Sequence, residues 1–251
     1  MKLKYCLIVI GLLASVSAQA NPKLPTSDTY INQCVVLLHG MGRTHRSMNF
    51  LQKRLQQVGF VTVNKSYASL NHPISELAEQ AIPSIVAECP AKMPVSFVTH
   101  SLGGLIVRDY LAQHPNISVA KIVMLGPPNQ GSEVAQKIGR WLPQKLPLFQ
   151  RFLQISKSSS AYVRQLAPIQ HRVGVIAGTR SLNPIFSSWL PGLDDGKVAV
   201  SDTCLTDMSD RILVEANHTS LLFNAEVIAE TLYFLQYDEF SAAAYHFKGQ
   251  C

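Results

Sequence analysis

Short apolar runs, each followed by a segment of helical spacing, constrain this chain more than any other feature. Cys34 to Leu38 (CVVLL) has no polar position on either face, which marks a strand buried on both sides. Phe60 to Val63, Val95 to Thr99, Lys121 to Leu125, Val173 to Ala177 and Ile212 to Val214 read as further strands. After the first strand, Met48, Leu51, Leu55 and Val58 recur on one helix face, which Gly59 ends. Ile74, Leu77, Ala78, Ala81, Ile85 and Val86 predict a second helix with Pro83 as a kink point. Leu102 to Gln113 and Thr219 to Gln236 complete the helical set. Such alternation implies right-handed crossovers and a doubly wound, mostly parallel sheet. Ligands in such sheets gather at the carboxyl ends of the strands, so functional residues are expected just after them.

The chain has 251 residues, of which 47% are hydrophobic and 15% charged, enough apolar content for one large domain. Met1 to Ala20 has the form of a secretory signal peptide. Lys2 and Lys4 precede the apolar stretch Leu7 to Leu13, and Ala18-Gln19-Ala20 supplies small residues for cleavage. The apolar run is shorter than the roughly 20 residues that cross a bilayer. Residues 21–251 would then form the mature domain, in a secreted or periplasmic setting. The formal charge of +6 loses Lys2 and Lys4 with that leader, and the remaining surplus is too small and too dispersed for nucleic acid. A weak, transient contact with an anionic lipid surface is compatible with it.

Export leaves Cys34, Cys89, Cys204 and Cys251 in an oxidising compartment. Four cysteines permit three pairings, and spacing alone selects none. Position in the expected sheet favours Cys34–Cys89, both at its lower edge, and Cys204–Cys251, which would tether the last residue.

Thr99-His100-Ser101-Leu102-Gly103-Gly104 lies where an apolar strand meets an amphipathic helix. A serine on such a turn presents its oxygen above the sheet, beside a helix N-terminus. Gly103 and Gly104 let the helix approach the strand. The Leu102 N–H is available to a developing oxyanion.

At this point the sequence resembles a bacterial lipase or esterase of the α/β-hydrolase superfamily. VVLLHGMGR (35–43), FVTHSLGG (97–104), LGPPNQGS (125–132) and DDGKVAVS (194–201), followed by His218, match in order. The family often has glycine two residues before the serine, whereas this chain has Thr99. The resemblance implies Ser101 as nucleophile and Met41, with Leu102, as oxyanion donors. It implies His218 as the base, after the last strand and in the order Ser…Asp…His. For the acid it favours Asp195 of the Asp-Gly-x-Val pattern, with Asp194 as the alternative. Some secreted lipases hold calcium through an aspartate just after the histidine, but Thr219 and Ser220 fill those places. No metal and no cofactor is expected.

Carboxylic-ester hydrolysis through an acyl-enzyme is the expected activity, on a small-molecule or lipid ester. An acyltransferase or thioesterase would use the same triad, and a non-catalytic binding module on the same fold is the third class. An insertion from about Gly131 to Pro168 interrupts the alternation and reads as a small helical lid or cap. In it Phe149 and Phe152 are candidate substrate-binding residues. Arg140, Lys145, Arg151 and Lys157 punctuate its apolar stretch, as at a lipid-facing cover.

Overall fold

A computed structural model describes residues 32–157 and 162–246. The expected leader 1–20 and Cys251 lie outside the described residues. Among the described residues six strands form one sheet: β1 (Cys34–Leu38), β2 (Val61–Asn64), β3 (Val95–His100), β4 (Ile122–Leu125), β5 (Val173–Gly178) and β6 (Asp210–Val214). Their order is β2-β1-β3-β4-β5-β6, and every pairing is parallel. Among the described residues the α-helices are α1 (Asn49–Gln57), α2 (Ile74–Val86), α3 (Leu102–Gln113), α4 (Glu133–Trp141), α5 (Pro147–Gln154), α6 (Pro184–Ser187) and α7 (Ala225–Tyr237).

The sheet divides two apolar layers because alternate strand residues point to opposite faces. Cys34, Val36, Leu38, Phe97, Ile122 and Met124 pack beneath α2 and α3. Val35, Leu37, Val98, Val123, Leu125 and Ile212 pack against α1 and α7. Both layers bury the β1 side chains completely, which explains why β1 contains no polar position.

Several boundaries differ from the sequence reading by one or more residues, and two have a clear local cause. Phe60 does not enter β2, because its N–H turns back to the Leu55 carbonyl and closes α1. The last helix starts at Ala225 instead of Thr219. Asn217 Oδ1 accepts the N–H groups of Thr219 and Ser220, which folds that stretch into a short turn. Asn224 then caps α7 by accepting from Glu226 and Val227. His218 therefore sits in a loop. Pro83 lies inside α2 without ending it.

The expected Cys34–Cys89 disulfide is present, with its Cα atoms 5.9 Å apart. It ties the end of α2 to the first residue of β1. Closing a loop of 55 residues this way restricts the unfolded chain by about 4 kcal/mol. The second expected pair ends on Cys251, outside the described residues.

Candidate active site

Strand order places the site. From β1 the chain crosses to one side to form β2, and from β3 it proceeds to the other side through β4 to β6. The crevice between the carboxyl ends of β1 and β3 is thus a topological switch point. His39 to Met41 follow β1, and Ser101 follows β3, so both border it.

Ser101 has φ 54° and ψ −120°, a left-handed conformation that a residue with a Cβ rarely adopts. Strain of this kind persists only where the surroundings impose it. Here the Ser101 N–H is held by the Leu125 carbonyl, and its own carbonyl accepts from Gly104. Two glycines make the turn possible. A Cβ at Gly103 would stand 2.6 Å from the Leu38 carbonyl oxygen, and one at Gly40 would stand 3.2 Å from Ser101 Cβ. Thr99, bulkier than the family's usual glycine, is accommodated in the interior beside Gly104, where its hydroxyl reaches the Val123 carbonyl.

His218 Nδ1 donates to Asp195 Oδ2 over 2.6 Å, and the His218 N–H donates to the Asp195 carbonyl. The other carboxylate oxygen of Asp195 accepts from the N–H groups of Lys197 and Val198. Three donors thus fix a buried carboxylate in one orientation. Asp194, the alternative acid, faces elsewhere: its Oδ1 accepts from Ser187 Oγ and the Gly196 N–H. Because Nδ1 of His218 carries the proton, Nε2 keeps its lone pair. Among the described residues no hydrogen bond joins that nitrogen to Ser101 Oγ, a looseness common in unliganded sites.

His100 is a buried structural histidine. Its Nε2 donates to the His218 carbonyl, and its ring lies 4.7 Å from that of His218. Burial first, then the charge of a protonated His218, holds its pKa well below the usual histidine value. It therefore serves as a neutral strut for the His218 backbone.

The loop after β1 is braced by His39. The ring stacks on Tyr67 at 4.1 Å, Nδ1 donates to the Gly40 carbonyl, and Nε2 accepts from the Tyr67 N–H. The Tyr67 hydroxyl donates to the His39 carbonyl. Among the described residues the N–H groups of Met41 and Leu102 donate to no protein acceptor, so both remain available at the crevice.

Between 131 and 168 the described residues form α4, α5 and a short turn at Tyr162–Arg164. Ser132 caps α4 and donates its hydroxyl to the Lys197 carbonyl, which docks the insertion on the Asp195 loop. Phe149 is half-buried, and Phe152 packs onto the core under α5 with its Cβ against Gly139. Among the described residues of the insertion the exposed large apolar ones are Trp141, Leu146 and Leu153. Two of the four expected basic flanks are not at a lipid-facing surface. Arg151 is buried and bonded to Gln154, and Lys157 is ion-paired with Asp202 and Glu133. The long side chains follow the nearest acceptors, which linear spacing cannot reveal.

That Lys157–Asp202–Glu133 cluster fastens the start of α4 and the stretch after α5 to the loop after Asp195. Burial, opposed by the Lys157 hydrogen bond and aided by Glu133, pushes the Asp202 carboxyl up to about 7. The folded state therefore holds a proton that the unfolded chain releases near pH 4. Stability is expected to fall between about pH 4 and pH 7, by on the order of 1–4 kcal/mol, and then to level. Asp202→Asn should flatten that slope in urea unfolding at stepped pH. An unchanged slope would assign it to other groups.

Sequence reasoning missed two glycines that build the site. A Cβ at Gly126 would lie 3.0 Å from Asp195 Oδ2 and 3.2 Å from His218 Nδ1. One at Gly178 would lie 2.9 Å from Asp195 Cβ and 2.4 Å from the Ala216 carbonyl oxygen. Each ends a strand, and that position is the one signal that would have marked them. Among the described residues no three His, Cys, Asp or Glu side chains gather to hold a metal ion.

Comparison with known proteins gives the family and the fold. A family model described as palmitoyl protein thioesterase matches residues 34–173, more than half of the chain. The match includes Met41, Ser101 and Leu102 and ends before Asp195 and His218. No curated protein sequence matches the chain significantly. Among solved structures, the mature form of a Bacillus licheniformis lipase is 16% identical with a TM-score of 0.63, over 81% of this chain and 91% of that one. A metagenomic carboxyl esterase is 17% identical with a TM-score of 0.64, over 90% and 80%. A Legionella pneumophila phospholipase is 21% identical with a TM-score of 0.54, over 68% of this chain and 45% of that one. At these identities the likeness is one of fold.

Proposed function

The chain belongs to the palmitoyl protein thioesterase family of α/β-hydrolases, and we propose that it hydrolyses carboxylic esters of apolar acyl chains through Ser101, His218 and Asp195. The observation that carries this reading is the buried Asp195–His218 hydrogen bond set beside a strained serine at the switch point. Substrate binding brings Ser101 Oγ within reach of His218 Nε2, which takes its proton as Oγ attacks the carbonyl carbon. The negative charge formed on the carbonyl oxygen is met by the N–H groups of Met41 and Leu102. His218 then returns the proton to the departing alcohol, and the acyl group stays on Oγ. Water, activated by the same nitrogen, releases the acid and restores the serine.

Acyl thioesters are the second reading, which the family match favours. The chemistry is unchanged except that a thiol departs. Export remains part of the proposal: the Cys34–Cys89 disulfide suits an oxidising compartment, and no described helix is long and apolar enough to cross a membrane.

The insertion 131–168 is the proposed cover of the acyl site, with Phe149 and Phe152 on its inner side. Its exposed rim, with Trp141 86% accessible, would face a lipid surface. A series of oxygen esters and thioesters from two to sixteen acyl carbons tests both points. Replacing Phe149 and Phe152 by alanine is expected to lower kcat/KM on long chains roughly tenfold more than on acetyl substrates. Equal losses on both would make the segment a support for the fold only. Thermal unfolding of the same variant gives the share due to Phe152 packing.

A further inference from the structure

Away from Ser101, a cavity of about 190 Å³ opens between α3, the loop after β4, the end of the insertion and the loop before β6. Arg108, Asn129, Gln130, Arg164, Leu205 and Thr206 line it. None of Met41, Ser101, Leu102, Asp195 and His218 does. Arg108 stands seven residues after Ser101 along α3, about 10 Å of helix. The cavity is therefore separate from the candidate active site. It is also smaller than the roughly 300 Å³ at which pockets for drug-sized molecules begin, so its occupant is small.

Two arginines and no carboxylate line this cavity. Arg108 is only 4% exposed, and every acceptor it reaches is neutral. Its Nη1 donates to the Asn129 carbonyl at 2.9 Å and to Asn129 Oδ1 at 3.3 Å, and its Nη2 donates to the Leu166 carbonyl at 3.3 Å. The Nε–H has no acceptor among the described residues. Asp109, the neighbouring acid, turns instead to the Gln113 amide and the Tyr162 hydroxyl. Burial pushes the guanidinium down to about 10, which still leaves it charged at neutral pH. A charge taken out of water needs an opposite charge beside it, and among the described residues Arg108 has none. Arg164, exposed at the same cavity, also forms no ion pair among them, and the Thr206 hydroxyl has no hydrogen bond. The place is a junction. Through Asn129 and Leu166, Arg108 ties α3 to the loop after β4 and to the end of the insertion, and Asn129 Nδ2 donates onward to the Thr203 carbonyl.

We propose that this cavity is a binding site for a single phosphate group, held between the Arg108 and Arg164 guanidinium groups with the Thr206 hydroxyl as a further donor. Two guanidinium charges match a dianion, and arginine–phosphate hydrogen bonds are charge-assisted. The cavity takes the phosphate itself, either as the free anion or as the head of a small phosphomonoester whose remainder lies in solvent. Occupancy joins the segments that meet at Arg108 and stabilises the folded chain. The site goes beyond the hydrolase reading and does not depend on it.

Calorimetric titration with inorganic phosphate, at an ionic strength held constant with sodium chloride, tests the site without an enzymatic readout. Wild type is expected to bind one phosphate with a Kd of about 1 mM or below, and phosphate should raise its unfolding temperature where chloride does not. Arg164→Gln alters an exposed side chain and leaves the Arg108 hydrogen bonds in place, and it should weaken binding about tenfold. Thr206→Val should weaken it about threefold, and Arg164→Lys should retain part of the affinity. Lys53→Gln, an exposed charge on α1, should bind as wild type does. Arg108→Gln should bind no phosphate. If that variant fails to fold, the Arg164 variants still decide. Glycerol 3-phosphate separates the two sources: equal or tighter binding than phosphate assigns the head of a phosphomonoester, and weaker binding assigns the free anion. No saturable heat from either ligand in wild type, or an unchanged affinity in Arg164→Gln, would overturn the site and leave the hydrolase reading as it stands. Phosphate binding that needs Arg164 in a protein without esterase or thioesterase activity would keep the site and remove the hydrolase reading.

Discussion

Ser101→Ala is expected to lower turnover of esters and thioesters by on the order of 10⁶, with the folded structure unchanged. The change deletes one oxygen that makes no hydrogen bond among the described residues. Alanine carries the same Cβ, so the backbone strain at φ 54° is neither added to nor relieved. The fold should therefore melt at the wild-type temperature while the nucleophile is gone. Labelling with a serine-directed phosphonate gives an independent check: wild type should take up one equivalent, and the variant none. Activity within tenfold of wild type in Ser101→Ala would move the nucleophile to another residue.

Asp195→Asn should cost on the order of 10⁴ in kcat, and the reason lies in the donors around that carboxylate. The N–H groups of Lys197 and Val198 both require an acceptor at the Oδ1 position. An asparagine would meet them with its carbonyl oxygen, which turns its amide nitrogen toward His218 Nδ1. That amide donates, so Nδ1 must accept, and the imidazole proton moves to Nε2. A protonated Nε2 cannot take the proton of Ser101. Asp194→Asn is the matched control. An asparagine oxygen there still accepts from Ser187 and Gly196, so the loop holds and the loss should stay within about tenfold. The reverse order of effects would make Asp194 the acid and the Asp195 hydrogen bond a structural one.

Much of the fold was legible in the chain. Parallel strands buried on both faces leave no room for polar positions, so CVVLL and the runs like it stand out from their neighbours. The boundaries of β1 and α3 are those the spacing predicts, and the Cys34–Cys89 bond joins the two ends that the expected topology brings together. The helix after His218 was less legible. Thr219 to Leu222 have helical composition, but the Asn217 side chain captures the N–H groups of Thr219 and Ser220, a local competition that periodicity does not register.

By itself, the sequence determined the doubly wound sheet and the location of a serine on a strand-to-helix turn, because each follows from contacts between residues near one another in the chain. Periodicity, turn glycines and continuous apolar runs are local properties, and they act before any distant segment arrives. Which aspartate meets His218 was decided only in three dimensions. Asp194 and Asp195 are adjacent and chemically identical, and although the family pattern favours Asp195, local composition leaves Asp194 as the alternative. Their roles separate because the turn through Gly196 sends one carboxylate toward Ser187 and the other toward the space left open by Gly126 and Gly178.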